Sequence, residues 1–262
     1  MSILYNALQN TFWTIVLGEK LLILAKMSAS IFVITIIFFS NAAFGQSASI
    51  QTKQYENGGF YKGTFKNGRQ HGYGTYSLPS GYQYEGEWEN GQAVGEGVAK
   101  FSNGSVYNGT FLNGKPNGIG TITYADGGKY TGVWAEAQIE GEGIAEYPDG
   151  TRYEGEFRSN KYHGRGVLVL KSGYSFEGTW VNGVKEGLGT ITYADGAIYS
   201  GELIADKRSG KGSLTTADGI ILLGEWLDGE FNGKGTITQP NGDVYYGFIA
   251  NGLEAVSYTH LR

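Results

Sequence analysis

From residue 60 onward, apolar and polar side chains alternate in short runs that stop at Asn-Gly or Asp-Gly pairs, and then the same pattern starts again. In the stretch "YEGEW", Tyr84, Gly86 and Trp88 fall on one side while Glu85 and Glu87 fall on the other, the period of two that marks a strand. A turn at "ENGQ" leads into a second run that places Gly95, Gly97, Ala99 and Phe101 on one face. A closing turn follows, at Gly104 here and as "ADG" at 125–127 and 194–196. Asn-Gly and Asp-Gly supply the positive φ that tight hairpin turns require.

The pattern is an internal repeat. Gly86 has counterparts at Gly63, Gly109, Gly132, Gly155, Gly178, Gly201, Gly224 and Gly247, every step being 23 residues. A large ring stands two residues before most of them (Tyr84, Tyr130, Tyr153) and another two residues after (Trp88, Trp134, Trp180). Eight units are complete and a ninth breaks off, so the array spans 60–252. Each unit reads as one β-hairpin, and an isolated hairpin is marginal in water. The units must therefore stack on one another, as in other solenoids. The expected fold is all-β: an elongated single-layer antiparallel sheet of 23-residue hairpins. A glycine held between two rings predicts that tyrosine and tryptophan rings from neighbouring strands lie across bare backbone, where any Cβ would intrude.

Composition agrees and narrows the chemistry. The 262 residues include 44 Gly, 19 Tyr, 13 Phe, 5 Trp and no Cys, which excludes disulfides, thiolate catalysis and zinc–thiolate sites. Residues 1–45 differ from the rest. They hold "LLILA" and "IFVITIIFF", preceded or interrupted by Lys20 and Lys26 and followed by small residues, which is the order of a secretory signal cut after Gly45. The same stretch also fits a retained membrane anchor, and an internal start at Met27 would give a shorter signal. Either way the array is expected to be exported, with a short lead segment at 46–59. The net charge of −5 would become −6 without Glu19, Lys20 and Lys26, which argues against nucleic acid as a partner.

Two strand carboxylates on one face lie roughly 7 Å apart, a separation that glycoside hydrolysis can use. Glu85 and Glu87, however, become Lys62 and Thr64, Asn108 and Thr110, or Thr131 and Val133 in other units, and only Glu154 and Glu156 repeat the pair. That interchange describes a solvent face, so no catalytic residue is assigned. "SGKGS" and "NGKGT" lack the Ser or Thr that a phosphate loop needs after its Lys. His71 and His163 stand in equivalent positions four units apart, too far to share a metal, and neither a metal nor a cofactor is expected. "NGS" and "NGT" at 103–105 and 108–110 match glycosylation acceptors only as products of the repeat. Basic residues crowd the fifth and seventh units: Arg152, Arg158, Lys161, Arg165 and Lys171, then Lys207, Arg208 and Lys211. Arg158, Lys161, Arg165, Lys207, Arg208 and Lys211 would form a basic edge, either simply solvated or docking anionic lipid headgroups or an acidic partner.

The unit "YEGEWENGQAVGEGVAKFSNG" resembles the MORN repeat (membrane occupation and recognition nexus), with Tyr-x-Gly-x-Trp-x-Asn-Gly, then Gly-x-Gly, then an Asn-Gly or Asp-Gly turn. Leu222 departs from the pattern at the tyrosine, Leu203 and Ile249 at the aromatic, and Ala137, Asn160 and Asp206 at the turn glycine. The resemblance implies a non-catalytic scaffold or adaptor that holds a protein or an envelope component. It also implies the alternative of a peripheral binder of acidic phospholipid, like the repeats that accompany phosphatidylinositol-4-phosphate 5-kinases, here without residues for a kinase domain. A carbohydrate-active enzyme is the remaining reading. The end, "LEAVSYTHLR" at 253–262, loses register, which would leave the last strand an open edge for self-association.

Overall fold

The computed structural model describes residues 49–250 and, as backbone, 254–261. The chain divides into Met1–Ser47 and Ala48–Arg262, and the expectations for a signal or anchor at 1–45 lie outside the described residues. The second unit is one sheet of nineteen antiparallel strands. Strand β1 (Gln51–Gln54) pairs with β2 (Phe60–Lys66), β2 with β3 (Arg69–Ser77), β3 with β4 (Gln83–Glu89) and β4 with β5 (Gln92–Lys100). Each later strand likewise pairs with its neighbours in sequence, as far as β18 (Val244–Ala250) and β19 (Glu254–Leu261). The lead segment thus contributes a first strand. The tail, expected to fall outside the array, pairs with β18 as the last strand across a register shift at Phe248 and Ile249.

Burial follows the period of two. In β4, Tyr84, Gly86 and Trp88 are buried while Gln83, Glu85, Glu87 and Glu89 are exposed. The buried face is a file of rings. Tyr84 meets Trp88 of its own strand at 5.2 Å and Phe111 of the next unit at 4.9 Å, and Tyr107 likewise meets Phe111 and Trp134. From Phe65 to Trp180 these edge-to-face contacts run unbroken, the arrangement that ring quadrupoles favour. The tryptophans also fasten units together: the indole N–H of Trp88, Trp134 and Trp226 donates to the carbonyl of Gly74, Gly120 and Gly212 in the preceding unit, at 3.0, 3.2 and 3.1 Å. Stability therefore resides in contacts between units, as the marginal single hairpin requires.

The ring over Gly97 comes from the neighbouring strand, as the sequence suggested, but the same ring also covers Gly86 of its own strand. Tyr84 lies along its own strand, and a Cβ added at Gly86 or Gly97 would stand 2.6 Å from its hydroxyl. The two glycines of Gly-x-Gly also differ in role. Gly86 pairs with Gly97 but Glu87 pairs with Val94, so Gly95 and Glu96 bulge out of the ladder with β4 while staying paired to Phe111 and Thr110 on their other side. Gly95 takes a φ of 58°, a region that favours glycine, whereas Gly97 is bare to admit the ring. Two extra residues leave the face parity intact, which explains first strands of seven residues and second strands of nine. The Tyr84 phenol donates to the Glu87 carbonyl beside this bulge at 3.0 Å, and Tyr107, Tyr130, Tyr153 and Tyr199 repeat the bond to Thr110, Val133, Glu156 and Glu202.

The Asn-Gly turns are two-residue loops with both residues at positive φ, such as Asn90 (51°) and Gly91 (89°). Each is hydrogen-bonded to the unit before it, as Gly91 N–H donates to Gln70 O at 2.9 Å. Where the turn glycine is replaced, Asn160 and Asp206 still adopt positive φ, and their side chains accept the N–H of Ile139 and Lys185 at 2.8 and 3.1 Å. Ala137 takes the same φ of 67° with no side-chain acceptor to offer.

Candidate functional site

The carboxylate pairs have structural partners. Glu87 and its equivalents fold over the bulge from the exposed face: Glu156, Glu202 and Glu225 accept the backbone N–H of Arg165, Lys211 and Lys234 at 3.1, 3.1 and 3.0 Å. Thr64 and Thr110 hold the same place by donating to the carbonyls of His71 and Asn117. The outer member of each pair is also engaged, Glu85 accepting from the Tyr73 phenol at 3.1 Å and Glu154 from Arg152 at 2.7 Å. The "SGKGS" and "NGKGT" stretches are bulges of this kind, and a carboxylate of the chain itself sits on the N–H that a phosphate would need. His71 lies on β3 and His163 on β11 (Lys161–Val169); among the described residues no group of three or more His, Asp or Glu side chains could hold a metal ion.

The basic residues separate. Arg158 and Lys161 face each other across an Asn-Gly-type turn, and with Arg165 they stand exposed on the outer face. Lys207 and Lys211 lie on the same face two units on, with Lys207 paired to Asp228 at 3.3 Å. Arg208 does not belong to that edge. It points to the ring face, its guanidinium 4.3 Å from the Trp226 ring centroid and donating to Gly229 O, because its parity in β15 (Lys207–Thr215) is that of the core. Arg152 is spent on Glu154, and the methylenes of Lys171 pass beside Gly150 at the opposite edge.

The outer face changes character along the sheet. In the unit of β4 and β5 it shows Gln83, Glu85, Glu87, Glu89, Glu96, Val98 and Lys100. In β14 (Ile198–Ile204), β16 (Ile221–Leu227) and β18 the equivalent positions carry exposed Ile204, Ile221, Leu223, Leu227, Tyr246 and Phe248, Leu223 being 57% exposed. Registers place Leu223 beside Thr236 and Thr236 beside Tyr246, so apolar strands alternate with threonine-bearing ones.

The family profile described as MORN repeat matches residues 61–81, 84–106, 107–129, 130–152, 153–173, 176–198, 199–221 and 223–244. The chain belongs to the MORN-repeat family. Its MORN signature residues, Tyr84, Gly86, Trp88, Gly95, Gly97, Gly104 and their counterparts Tyr130, Gly132, Trp134, Tyr153, Gly155, Gly178 and Trp180, build the ring face, bulges and turns. Residues free to recognise anything are those the MORN pattern leaves variable.

Among solved structures the MORN array is similar to the TCP10 domain of Danio rerio CPAP, with 11% identity over 80% of this chain and 99% of that one and a TM-score of 0.44. It is also similar to the SAS-4 (dCPAP) TCP domain of Drosophila melanogaster, solved with a proline-rich motif of Ana2 (14% identity, 80% and 94% coverage, TM-score 0.28). A virginiamycin B lyase from Staphylococcus aureus matches at 12% identity, 82% and 70% coverage and a TM-score of 0.15. None of these likenesses transfers a function. No curated protein matches.

Two contributors were hidden from the sequence. Phe231 stands where Ala93 and Ile139 stand in other units, yet a Cβ at Gly224 would meet its ring at 3.0 Å: it covers the glycines that Leu222 leaves bare. Tyr73, 61% exposed on the outer face, reads as one more aromatic until its bond to Glu85 is seen.

Proposed function

We propose that this MORN-repeat chain is an exported, non-catalytic binding scaffold whose outer sheet face holds a protein partner. The observation that carries the reading is the exposed apolar surface of β14, β16 and β18, centred on Leu223, Leu227, Tyr246 and Phe248, on a sheet whose other face is filled by its own rings. Large apolar side chains left exposed together on one face mark interaction sites, and a leader-like segment at 1–45 supports export. Proximity labelling in the native host, comparing the wild-type chain with a Leu223→Lys, Leu227→Lys double variant, tests it. Loss of a defined labelled set from an otherwise folded variant is expected; an unchanged set sinks the reading.

The exposed cations Arg158, Lys161 and Arg165 favour a second reading, docking to anionic lipid headgroups. Charge reversal at these three residues should abolish salt-sensitive co-sedimentation with acidic liposomes. Unchanged sedimentation removes the lipid edge.

A further inference from the structure

The outer face contains a hollow of about 300 Å³ between β3, β4 and β5. Its outward-facing walls are Thr75 and Ser77, Gln83 and Glu85, and Val98 and Lys100 from three strands, and Tyr76 and Tyr84 of the ring face complete the lining. Among the described residues Lys100 has no ion-pair partner, and the Gln83 amide and Ser77 hydroxyl have no side-chain hydrogen bond. At the rim stands Tyr73, its ring exposed and its phenol tied at 3.1 Å to one oxygen of Glu85, so that the ring is held in place by the carboxylate.

We infer that this hollow binds a neutral oligosaccharide, with Tyr73 as the stacking platform and Glu85, Gln83 and Lys100 directing hydroxyl groups. One carboxylate and one ammonium offset each other across the hollow, so its charge complements an uncharged ligand. The neutral donors and acceptors between them suit a molecule that offers many hydroxyls and no net charge. An exposed aromatic ring beside polar groups gives the apolar face of a sugar ring a surface to lie on, while charge-assisted hydrogen bonds fix its orientation. The volume admits about one sugar ring, and the open outer face lets a longer chain continue along the strands. Other places on the sheet lack the combination: the equivalents of Tyr73, Glu85 and Lys100 are Glu96, Asn108 and Thr123 one repeat on, and Arg165, Glu177 and Thr192 four repeats on. The inference goes beyond the scaffold reading and stands without it, because the apolar protein-binding surface proposed above lies at the other end of the face.

The test is a titration of the isotope-labelled full chain with chitotetraose and cellotetraose, followed by NMR, with tetralysine and tetraglutamate peptides as charged comparators. Shifts confined to β3, β4 and β5 with at least one oligosaccharide are expected. Tyr73→Ala and Lys100→Met should each weaken binding about tenfold, and Tyr73→Phe, which keeps the ring but frees it from Glu85, should weaken it less than Tyr73→Ala. Both residues lie outside the ring core, so thermal unfolding should stay near wild type; if Tyr73→Ala unfolds, Lys100→Met alone decides. No shift with either oligosaccharide, shifts that map elsewhere, or stronger binding of a charged peptide in the hollow overturns the inference.

Discussion

The unit that begins at Tyr84 and the unit that begins at Leu222 solve one problem with different residues. Both bring two glycines face to face across a hairpin, Gly86 with Gly97 and Gly224 with Gly235. In the first, the covering ring comes from two residues upstream on the same strand and also bonds the Glu87 carbonyl. In the second it comes from Phe231, across the hairpin, 5.1 Å from Trp226 and without a hydroxyl. The fold thus demands a ring over bare backbone, and the tyrosine position is only the usual way to supply it. The phenol is an addition that secures the bulge.

Alkali separates the two kinds of unit most forcefully. Burial pushes the phenols of Tyr84, Tyr107, Tyr130 and Tyr153 up from the ordinary value of 10.0. Burial likewise raises Tyr199 to about 12, although the Arg208 cation over its ring pulls the other way. Raised values mean that the unfolded chain releases these protons first, so their contribution is complete below pH 10 and is lost as pH climbs through the folded values. Circular dichroism against tyrosinate absorbance should show the tyrosine-bearing units melting together above pH 10, with the Leu222 unit contributing no phenol of its own at this position. Tyrosinate appearing with the sheet intact would mean the rings are not what holds it.

Next in size is the cost of filling the space under a ring. A Cβ at Gly143 would stand 2.4 Å from the Tyr130 hydroxyl and 2.5 Å from its ring. Gly143→Val should therefore cost about 3–5 kcal/mol, the range for losing a buried aromatic. Gly127→Ala, where nothing stands within 4 Å and only the φ of 92° is violated, should cost about 1–2 kcal/mol. Urea unfolding of both variants measures the difference, and equal losses would reduce the glycine pair to a matter of backbone conformation.

The substitute ring comes third. Phe231→Ala should lose about 3 kcal/mol, more than Tyr162→Ala, because Tyr162 stacks at 3.7 Å on a Tyr153 that already covers its glycines. Adding Leu222→Tyr to Phe231→Ala should recover most of the loss, a coupling that a double-mutant cycle reads directly. Additive effects would show that Phe231 is ordinary core.

These cases also mark what the chain discloses unaided. The 23-residue period, the two faces and the positive-φ turns are written in Tyr84, Gly86, Trp88 and Asn90-Gly91, since each is a local pattern with one geometric solution. The bulge was not legible, because Gly95 and Gly97 look alike until strand pairing shows that one leaves the ladder. Phe231 was not legible either, since its position holds Gln70, Ala93, Pro116 and Ile139 elsewhere and only the register sets its ring beside Gly224. The outer face could be read as variable, but the gathering of Tyr73, Glu85 and Lys100 depends on three strands and on where side chains turn.

The smallest effect is the cleanest probe of what the phenol adds. Phe176 covers Gly178 and Gly189 as Tyr153 covers Gly155 and Gly166, with a ring of the same outline and full burial, but it offers no donor beside its bulge. The carbonyl of Thr179 occupies the place that Glu156 O occupies under Tyr153, where the phenol donates at 3.0 Å. Phe176→Tyr should therefore gain about 1 kcal/mol, the usual net worth of one hydrogen bond, and Tyr153→Phe should lose about as much. Both changes leave ring and backbone in place, so a difference in thermal midpoint reports the hydroxyl alone. If Phe176→Tyr destabilises instead, the bulge of the sixth unit has closed on the bare ring, and the phenol belongs to the geometry of each bulge and is not a separable addition.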